Sequence, residues 1–392
     1  MKPTLLYASP FWPMKSGISE YSESLVRGLQ KYFDITLVTG NYTLENKALA
    51  NAFKVVKYSE STDFSGYDHI IYNFGNNPDY HSYMYDMIKK YPDYVILHDF
   101  ILYYLTVGYY SAKNMLFSKL YELEGVDGIS IVKESLRKNE PRDLLQHKLI
   151  ADKLPMNREV LSLAKGVLVH SEHTMNLVKK TVPEAKVYKI CLVNSYESVT
   201  EDRSYLKRKL SLPEDAYIIG AVGYIAHTKR NVLTCEAVKK YNAKHEKKVY
   251  YVMIGDGNAA DEYLDEYIRK TGFIDNSEFF PSISSCDLIM NLRYPYNGES
   301  SATLIQCMDL GKPCAVTDIG WFSELPDDCV VKTKINITAD ELERLIDRLI
   351  SSDLSTLKAN AASYVKTECA PETIGERIYG YLSGKANAEA EK

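Results

Sequence analysis

The chain has 392 residues, more than one ordinary hydrophobic core holds, so its length predicts two domains of about 150–200 residues each. Hydrophobic residues make up 45% and charged residues 25%, which is typical of a globular protein and argues against a disordered or fibrous one. The formal net charge of −5 argues against general affinity for nucleic acid, because neutralising phosphates requires a surplus of Lys and Arg.

The seven cysteines show no CxxC motif and no mixed Cys/His spacing of the kind that binds metal. Most of them adjoin apolar runs, so we expect buried, reduced thiols in a reducing cytosol. The N-terminal residues lead directly into a strand pattern without a signal-peptide cleavage site, and no apolar stretch approaches the length of a membrane span. These features favour a cytoplasmic protein.

The first half of the chain alternates short β-branched runs with helical patterns. The predicted strands are Thr4–Ala8, Ile35–Thr39, Lys54–Tyr58, His69–Asn73, Tyr94–His98 and Gly166–His170. The predicted helices are Ile18–Tyr32, Asp79–Lys90 and Glu172–Lys180, and residues 111–160 form a further, solvated helical region. Alternation of this kind predicts a parallel sheet with helices on both faces.

A second series of the same kind begins near Tyr217. Its predicted strands are Tyr217–Tyr224, Val249–Ile254, Asp287–Asn291, Cys314–Asp318 and Cys329–Val331. The predicted helices are Val232–Lys244, Ala260–Lys270, Ser301–Asp309 and Asp340–Ser351. The irregular, polar stretch Cys191–Thr200 is predicted to link the halves, and the tail Ala386–Lys392 is predicted to fray.

The fold class is therefore predicted to be α/β, with two Rossmann-like parallel-sheet domains. We place the first domain at residues 1–195 and the second at 196–371, with a C-terminal helix at about 372–383 that packs back on the first. Ligands bind at the carboxyl ends of the strands in open α/β sheets. We expect the two sheets to face each other, so that these ends define one cleft. The loops that follow strands are therefore where ligand-binding residues are expected.

Tyrosine is unusually frequent, with 32 residues, many of them between Tyr67 and Tyr121. One interpretation is ordinary use in the core and on the surface. The other is an aromatic-lined acceptor groove, because sugar rings stack on aromatic side chains. The sequence leaves both open.

Two loops of the first half carry candidate binding groups. The loop after the first strand ends with Gly17 at a helix start, where backbone N–H groups bind anions and glycine permits close approach. Its spacing is not the GxGxxG pattern of dinucleotide-binding proteins. His98 follows the strand that begins at Tyr94 and is placed either at the rim of the site or, alternatively, in the core.

Two loops of the second half carry further candidate binding groups. Lys229 and Arg230 precede a helix, at the end where the helix dipole is positive and cations are unfavourable. One interpretation is that an anion binds there between the cations and the helix N-terminus. The alternative is that the two side chains are simply solvated at the surface. In the segment from Asn291 to Thr303, Ser300 and Ser301 open a helix and serve in part as caps. Glu299 beside them offers a carboxylate for sugar hydroxyls. The turn at Gly255-Asp256-Gly257-Asn258 is interpreted as a tight strand-to-helix connection.

At these loops the sequence resembles the retaining glycosyltransferases of family four, which have the GT-B fold. The segment from Arg293 to Asp327, RYPYNGESSATLIQCMDLGKPCAVTDIGWFSELPD, is similar to the donor-binding stretch of that family. GYIAHTKR at Gly223–Arg230 is similar to its pyrophosphate-binding loop, with Lys229 as the best match. LHDF and PMKSGISEY resemble its strand-end His and its N-terminal Gly loop, so the resemblance covers nearly the whole chain.

The sequence departs from the family pattern at the second of two glutamates. Gln306 stands where that Glu is common, and the first Glu falls on Gly298, with Glu299 one place later. The first cation of the family's Arg…Lys pair is also absent, because Tyr224 follows Gly223.

The resemblance implies transfer of a hexose-type sugar from a nucleotide-sugar donor, UDP- or GDP-linked, without a metal and without another cofactor. The absence of an Asp-x-Asp motif agrees with this. The implied catalytic residues are His98 and Glu299. The implied donor-binding residues are Gly17, Lys229, Arg230, Ser300, Ser301 and Gln306.

The implied partners are the nucleotide-sugar donor and a glycan, lipid-linked or protein acceptor, as in polysaccharide biosynthesis. The resemblance also implies peripheral contact at the inner membrane face, which is common in that family. Two alternatives remain open: a sugar-nucleotide epimerase, and a catalytically inert nucleotide-sugar-binding partner of another transferase. A dinucleotide oxidoreductase is disfavoured by the glycine spacing.

Overall fold

The protein is described from a computed structural model, which covers residues 1–138, 144, 148–194, 201–296 and 298–385. The chain divides into two compact units. The first comprises Met1–Ser195, Asn297–Ser300 and Ala370–Lys392, and the second comprises Tyr196–Tyr296 and Ser301–Cys369. Most of the predicted linker, residues 195–200, and the tail Ala386–Lys392 lie outside the described residues.

The first unit is built on a seven-stranded parallel sheet of order β3-β2-β1-β4-β5-β6-β7. The central strands are buried on both faces, as expected where helices cover both sides of a parallel sheet. The strands are β1 (Thr4–Ala8), β2 (Asp34–Thr39), β3 (Lys54–Lys57), β4 (His69–Phe74), β5 (Tyr94–Leu97), β6 (Gly166–Val169) and β7 (Val187–Lys189).

The helices between these strands follow the predicted alternation, except that β3 leads to β4 without a helix. The region 111–160 is mostly helical where it is described, with breaks at 113–115 and 152–157, and Gly125 interrupts α5 with a non-helical backbone. The helices are α1 (Gly17–Leu29), α2 (Lys47–Ala52), α3 (Pro78–Lys90), α4 (Tyr103–Ala112), α5 (Leu116–Lys138), α6 (Lys148–Ala151), α7 (Arg158–Leu163) and α8 (Glu172–Thr181).

Several tyrosines of the first unit belong to its core. Tyr72, Tyr85, Tyr103 and Tyr110 are fully buried. Buried phenol hydroxyls require partners, and those of Tyr85 and Tyr110 donate to Oε2 of Glu159 at 2.9 and 2.6 Å. For these residues, the structure supports the interpretation as core residues.

Glu159 joins four helices through one carboxylate. Its Oε1 lies 3.0 Å from the Lys119 ammonium, and the Tyr hydroxyls come from α3 and α4. The Lys89 ammonium lies 4.6 to 4.9 Å from three tyrosine ring centroids and 3.7 Å from the same carboxylate. Burial alone would raise the pKa of Glu159, but hydrogen bonds from Tyr110, Lys119 and Tyr85 lower it below the ordinary value.

The second unit is built on a six-stranded parallel sheet of order β10-β9-β8-β11-β12-β13. The strands are β8 (Tyr217–Val222), β9 (Val249–Ile254), β10 (Ile268–Lys270), β11 (Leu288–Asn291), β12 (Cys314–Thr317) and β13 (Val331–Thr333). The helices are α9 (Tyr205–Leu210), α10 (Asn231–Lys244), α11 (Asn276–Ser284), α12 (Ala302–Asp309), α13 (Ala339–Ile350) and α14 (Ser355–Glu368), followed by α15 (Pro371–Leu382) in the first unit.

The helix predicted at Ala260–Lys270 is wrong. The structure has a short 3-10 turn at Asp261–Tyr263 and then the edge strand β10. The Asp265 side chain accepts hydrogen bonds from the N–H groups of Tyr267 and Ile268, which favours a turn over a continuing helix. Pairing of Ile268 with β9 then completes the sheet.

The C-terminal helix α15 packs on α1 where two glycines meet. A Cβ placed on Gly28 would lie 1.9 Å from the Pro371 carbonyl oxygen, and one on Gly375 would lie 2.8 Å from the Gly28 carbonyl carbon. The two backbones therefore approach too closely for any side chain at either position. Tyr32 and Tyr379 stack beside this crossing, with ring centroids 5.1 Å apart.

All seven cysteines are described, and none forms a disulfide. Six are buried and Cys191 is partly exposed, which confirms the prediction of buried thiols. Within the described ranges, no helix combines the length and the apolar character needed to cross a bilayer.

Candidate functional site

The strand order reverses beside the first strand of each unit. The reversal lies between β1 and β4 in the first unit and between β8 and β11 in the second. In doubly wound sheets, ligands bind where the order reverses, at the carboxyl ends of the strands. The loops after these four strands are therefore the candidate site in each unit.

In the second unit, the loops after β8 and β11 are joined directly. The N–H of Tyr294 donates to the carbonyl of Thr228 at 2.8 Å. The loop after β9 packs on the same point, since a Cβ on Gly255 would lie 2.5 Å from the Gly223 carbonyl oxygen, and Gly255 has a φ of +146°. This confirms a tight turn at Gly255, although a 3-10 turn and not a helix follows.

Lys229 lies at the end of β8, within this group of loops. Its ammonium donates to the Val222 carbonyl at 2.9 Å. Gly223 leaves room for it, because a Cβ at that position would lie 2.5 Å from Nζ, and its φ is +94°. The fold therefore holds a positive charge at the strand-order reversal of the second unit.

Arg230 has a role inside the fold. Its two terminal nitrogens donate to the carbonyls of Ile335 and Ile337 at 2.6 and 3.1 Å. Its guanidinium also lies 6.0 Å from the Tyr294 ring centroid. Binding of the nucleotide-sugar donor by Arg230 stays a prediction, because these contacts show that the side chain also links its loop to the segment at Ile335–Ile337.

The loop after β11 ends at the N-terminus of α12. Ser301 is the N-cap and accepts a hydrogen bond from the Leu304 N–H at 3.3 Å, as the sequence predicted in part. No described group accepts from the N–H groups of Ala302 or Thr303, so these donors stay available to an anion. Ser300 precedes the cap and is partly buried, and Gln306 on the same helix is only 6% exposed.

In the first unit, α1 opens after the β1 loop. Ser16 is its N-cap and accepts from the Ile18 N–H at 3.2 Å, and Gly17 is the first helical residue. A Cβ on Gly17 would meet nothing within 4 Å. Gly17 therefore lies in open space, and neither packing nor backbone conformation requires glycine there.

His98 follows β5 directly and is partly buried. Its Nε2 lies 3.1 Å from Oδ1 of Asn73 on β4. The Tyr21 ring packs edge-to-face with the imidazole, with ring centroids 4.6 Å apart. Burial lowers the pKa of His98 well below its ordinary value, and the neighbouring His170 and His81 lower it further. The imidazole is therefore neutral near pH 7.

A pocket of about 330 Å³ lies in the first unit, and Asp99, the residue after His98, lines it. It combines carboxylates, aromatic rings and an amine: Asn76, Asp99, Phe100, Ile101, Tyr104, Lys148, Ala151, Asp152, Gly298 and Glu299. Burial raises the pKa of Asp99; a hydrogen bond from the Asn76 N–H at 3.0 Å opposes this, and the charge of Glu299 adds to it. Glu299 therefore lines the same pocket as Asp99 and acts on it through its charge.

Most of these lining residues were missed from the sequence. Asn76 and Asp99 follow β4 and β5, so applying the rule of strand ends to every strand would have found them. Tyr104 belongs to the tyrosine-rich segment and lines the pocket, unlike its buried neighbours. Lys148 and Asp152 come from the helical region 111–160 and carry no local signal. In the described ranges, no cluster of His, Cys, Asp and Glu is placed to hold a metal.

Comparison with known proteins adds a family similarity for part of the chain. Residues 202–367 match the model of the family described as glycosyl transferases group 1. This stretch includes the loops after β8 and β11. No curated protein matches the chain.

Solved structures resemble the whole chain. Sucrose-phosphate synthase from Thermosynechococcus elongatus is 14% identical, with a TM-score of 0.65, covering 99% of this chain and 100% of that one. The Anabaena protein HepE, solved with UDP, is 14% identical with a TM-score of 0.59, covering 98% and 100%. A glycosyltransferase from Rickettsia africae is 16% identical with a TM-score of 0.54, covering 97% and 98%.

At these identities, the structural likeness establishes the fold. The chain has the two Rossmann-like parallel-sheet domains of the GT-B fold, as the sequence predicted, and its segment 202–367 is similar to group 1 glycosyl transferases.

Proposed function

We propose that the chain is a retaining glycosyltransferase, which moves a hexose-type sugar from a UDP- or GDP-linked donor to a glycan, lipid-linked or protein acceptor. The observation that carries this proposal is the match of residues 202–367 to group 1 glycosyl transferases. The matched stretch contains the Thr228–Tyr294 hydrogen bond that joins two loops at the strand-order reversal. The UDP complex of the structurally similar HepE supports a UDP-linked donor.

The second unit is proposed to hold the donor diphosphate. Lys229 supplies a positive charge at the end of β8, and the first N–H groups of α12, beside Ser300 and Ser301, supply hydrogen-bond donors. Groups fixed in advance toward developing negative charge stabilise the transition state without reorganising. Gln306 is proposed as a neutral contact for the ribose.

The first unit is proposed to bind the acceptor and the transferred sugar. Its pocket offers aromatic faces at Phe100 and Tyr104, with carboxylates at Asp99 and Glu299. Aromatic faces stack on sugar rings, and carboxylates accept hydrogen bonds from sugar hydroxyls. His98, which precedes the pocket residue Asp99 in the chain, is proposed to contact a sugar hydroxyl, and Gly17 is proposed to admit a ligand close to the start of α1.

The proposed reaction is a front-side substitution. The bond between the anomeric carbon and the diphosphate oxygen breaks, and the acceptor oxygen bonds to the same face of the sugar. The acceptor proton passes to the departing diphosphate, whose negative charge Lys229 and the N–H groups at α12 are proposed to stabilise without a metal or a cofactor. A cytoplasmic location, supported by the buried free thiols, and peripheral contact at the inner membrane face complete the proposal.

The proposal is tested by incubating the purified protein with UDP-, GDP- and ADP-sugars in EDTA, with and without a panel of glycan acceptors. We expect release of one nucleoside diphosphate that depends on acceptor and a product whose anomeric configuration, read by proton NMR, is that of the donor. Release or epimerisation without acceptor would favour the epimerase. Binding without turnover under every condition would favour the inert partner.

A further inference from the structure

A chain of hydrogen bonds inside the first unit leads from β1 to His98. The hydroxyls of Ser9 and Ser22 are 2.6 Å apart, and the Tyr7 hydroxyl lies 3.2 Å from Ser22 Oγ and 3.2 Å from Asn73 Oδ1. Asn73 Oδ1 also meets Nε2 of His98 at 3.1 Å. All of these residues except His98 are buried, so water does not compete for their bonds.

The direction of each hydrogen bond follows from what each group can donate. The Asn73 Nδ2 group lies 3.2 Å from the Ala8 carbonyl, which only accepts, so this end of the amide is the nitrogen. The amide oxygen therefore faces Tyr7 and His98. Because that oxygen only accepts, the single Tyr7 hydrogen points at Asn73, and Ser22 donates to Tyr7 in turn.

The same reasoning assigns the proton on His98. A neutral imidazole carries one N–H, and the group that faces the Asn73 oxygen must be that donor. Its Nδ1 then has no proton and is an acceptor. Among the described residues, no group hydrogen-bonds to Nδ1, and Nδ1 is not one of the fully enclosed side-chain atoms that lack a hydrogen-bond partner.

We infer that Asn73 is a positioning residue, which holds His98 in the Nε2–H tautomer and leaves Nδ1 as a hydrogen-bond acceptor for a hydroxyl group of the substrate. Tyr21 supports the ring from its edge. The role of the substrate hydroxyl rests on the proposed glycosyl transfer, whereas the tautomer does not.

The tautomer is tested directly by proton–nitrogen correlation NMR on the full chain labelled with ¹⁵N-histidine, with a His98→Gln variant to assign the signals. We expect one protected Nε2–H signal for His98 at pH 7 and an unprotonated Nδ1. Asn73→Ala removes the acceptor and should expose this proton to exchange and mix the tautomers. Asn73→Asp keeps an acceptor oxygen and should keep the proton on Nε2. Ser22→Ala, a control that leaves the Asn73 amide in place, should retain the protected signal.

A proton on Nδ1 in the wild-type protein, or a protected signal that survives Asn73→Ala, would overturn the inference. Activity supplies a second readout through a double-mutant cycle. Loss of one hydrogen bond should lower kcat/KM about tenfold for Asn73→Ala. The same substitution should change little in a His98→Ala background, and an equal loss in both backgrounds would mark Asn73 as merely structural. If no sugar is transferred at all, the proposed function fails while the NMR result still decides the tautomer.

Discussion

The glycine crossing between α1 and α15 allows a prediction whose size comes from the structure. In Gly28→Ala, the new Cβ would lie 1.9 Å from the Pro371 carbonyl oxygen and 2.4 Å from its carbonyl carbon. Real Cβ atoms essentially never come closer than 3.0 Å to such atoms, so the helices must separate by 1.1 Å or more, 3.0 less 1.9. Neither contact is with a flexible side chain that could rotate away.

Overpacking costs about 1–3 kcal/mol, and because both contacts are with backbone atoms we expect the upper part of this range, about 2–3 kcal/mol; a gain in helix propensity from Gly to Ala of up to about 1 kcal/mol then leaves a net loss of about 1–3 kcal/mol. In a unit of this size, each kcal/mol lowers the melting temperature by about 2–4 °C. We therefore expect Gly28→Ala to lower the melting temperature of the first unit by about 2–12 °C. Scanning calorimetry measures this change.

Gly17→Ala is a matched control on the same helix. A Cβ there meets nothing within 4 Å, so we expect a change of no more than about 2 °C. A Gly28→Ala protein that melts within that range of Gly17→Ala would refute the reasoning.

Three further predictions address the site and the core. Lys229→Ala should lower kcat by about 10²–10³-fold in the transfer assay without lowering the melting temperature, and an unchanged kcat would remove Lys229 from the mechanism. In Gly255→Ala the new Cβ would lie 2.5 Å from the Gly223 carbonyl oxygen, which should disturb the loops after β8 and β9 and weaken nucleotide binding, as measured by calorimetric titration. Gly272→Ala is the control, because Gly272 also has a positive φ but has open space around it. The Glu159 carboxylate has a lower pKa folded than the 4.5 of the unfolded chain, so its stabilisation is complete above that pH and is lost as the pH falls through the folded value. Glu159→Gln should therefore lower the free energy of unfolding by about 2 kcal/mol at pH 7. Its melting temperature should also fall less steeply than that of the wild-type protein as the pH is lowered below 4.5, and equal slopes for the two proteins would exclude this role.

The sequence predicted the fold well where each element carries its own signal. Strands β1 and β9 have the predicted bounds, because short β-branched runs flanked by turns are local features. The rule that ligands bind after strands also selected the loops at Lys229 and Glu299 without any coordinates. Alternation of strand and helix then sufficed to indicate two parallel sheets.

The failures have two physical causes: some deciding contacts are local turns and caps that the composition of a segment does not reveal, and others join distant parts of the chain. The segment Ala260–Lys270 has a helical composition, but an Asp265 turn and pairing with β9 determine its structure. Helix α11, which contains Pro281, is absent from the predicted elements, and its start is stabilised by the Asp275 side chain, which accepts from the N–H groups of Ser277 and Glu278. Nothing near Asn73 indicates that it contacts His98, since the contact exists only because β4 and β5 are neighbours.

The most direct test of the central claim is nucleotide binding, measured as a thermal shift of the purified protein against UDP, GDP, ADP and their sugar conjugates, with and without EDTA. A ligand that binds only the folded protein raises the melting temperature, by mass action. The expected result is a shift with one nucleotide family that EDTA leaves unchanged and Lys229→Ala reduces. No shift with any of these nucleotides, or a shift with NAD(P) alone, would contradict the account.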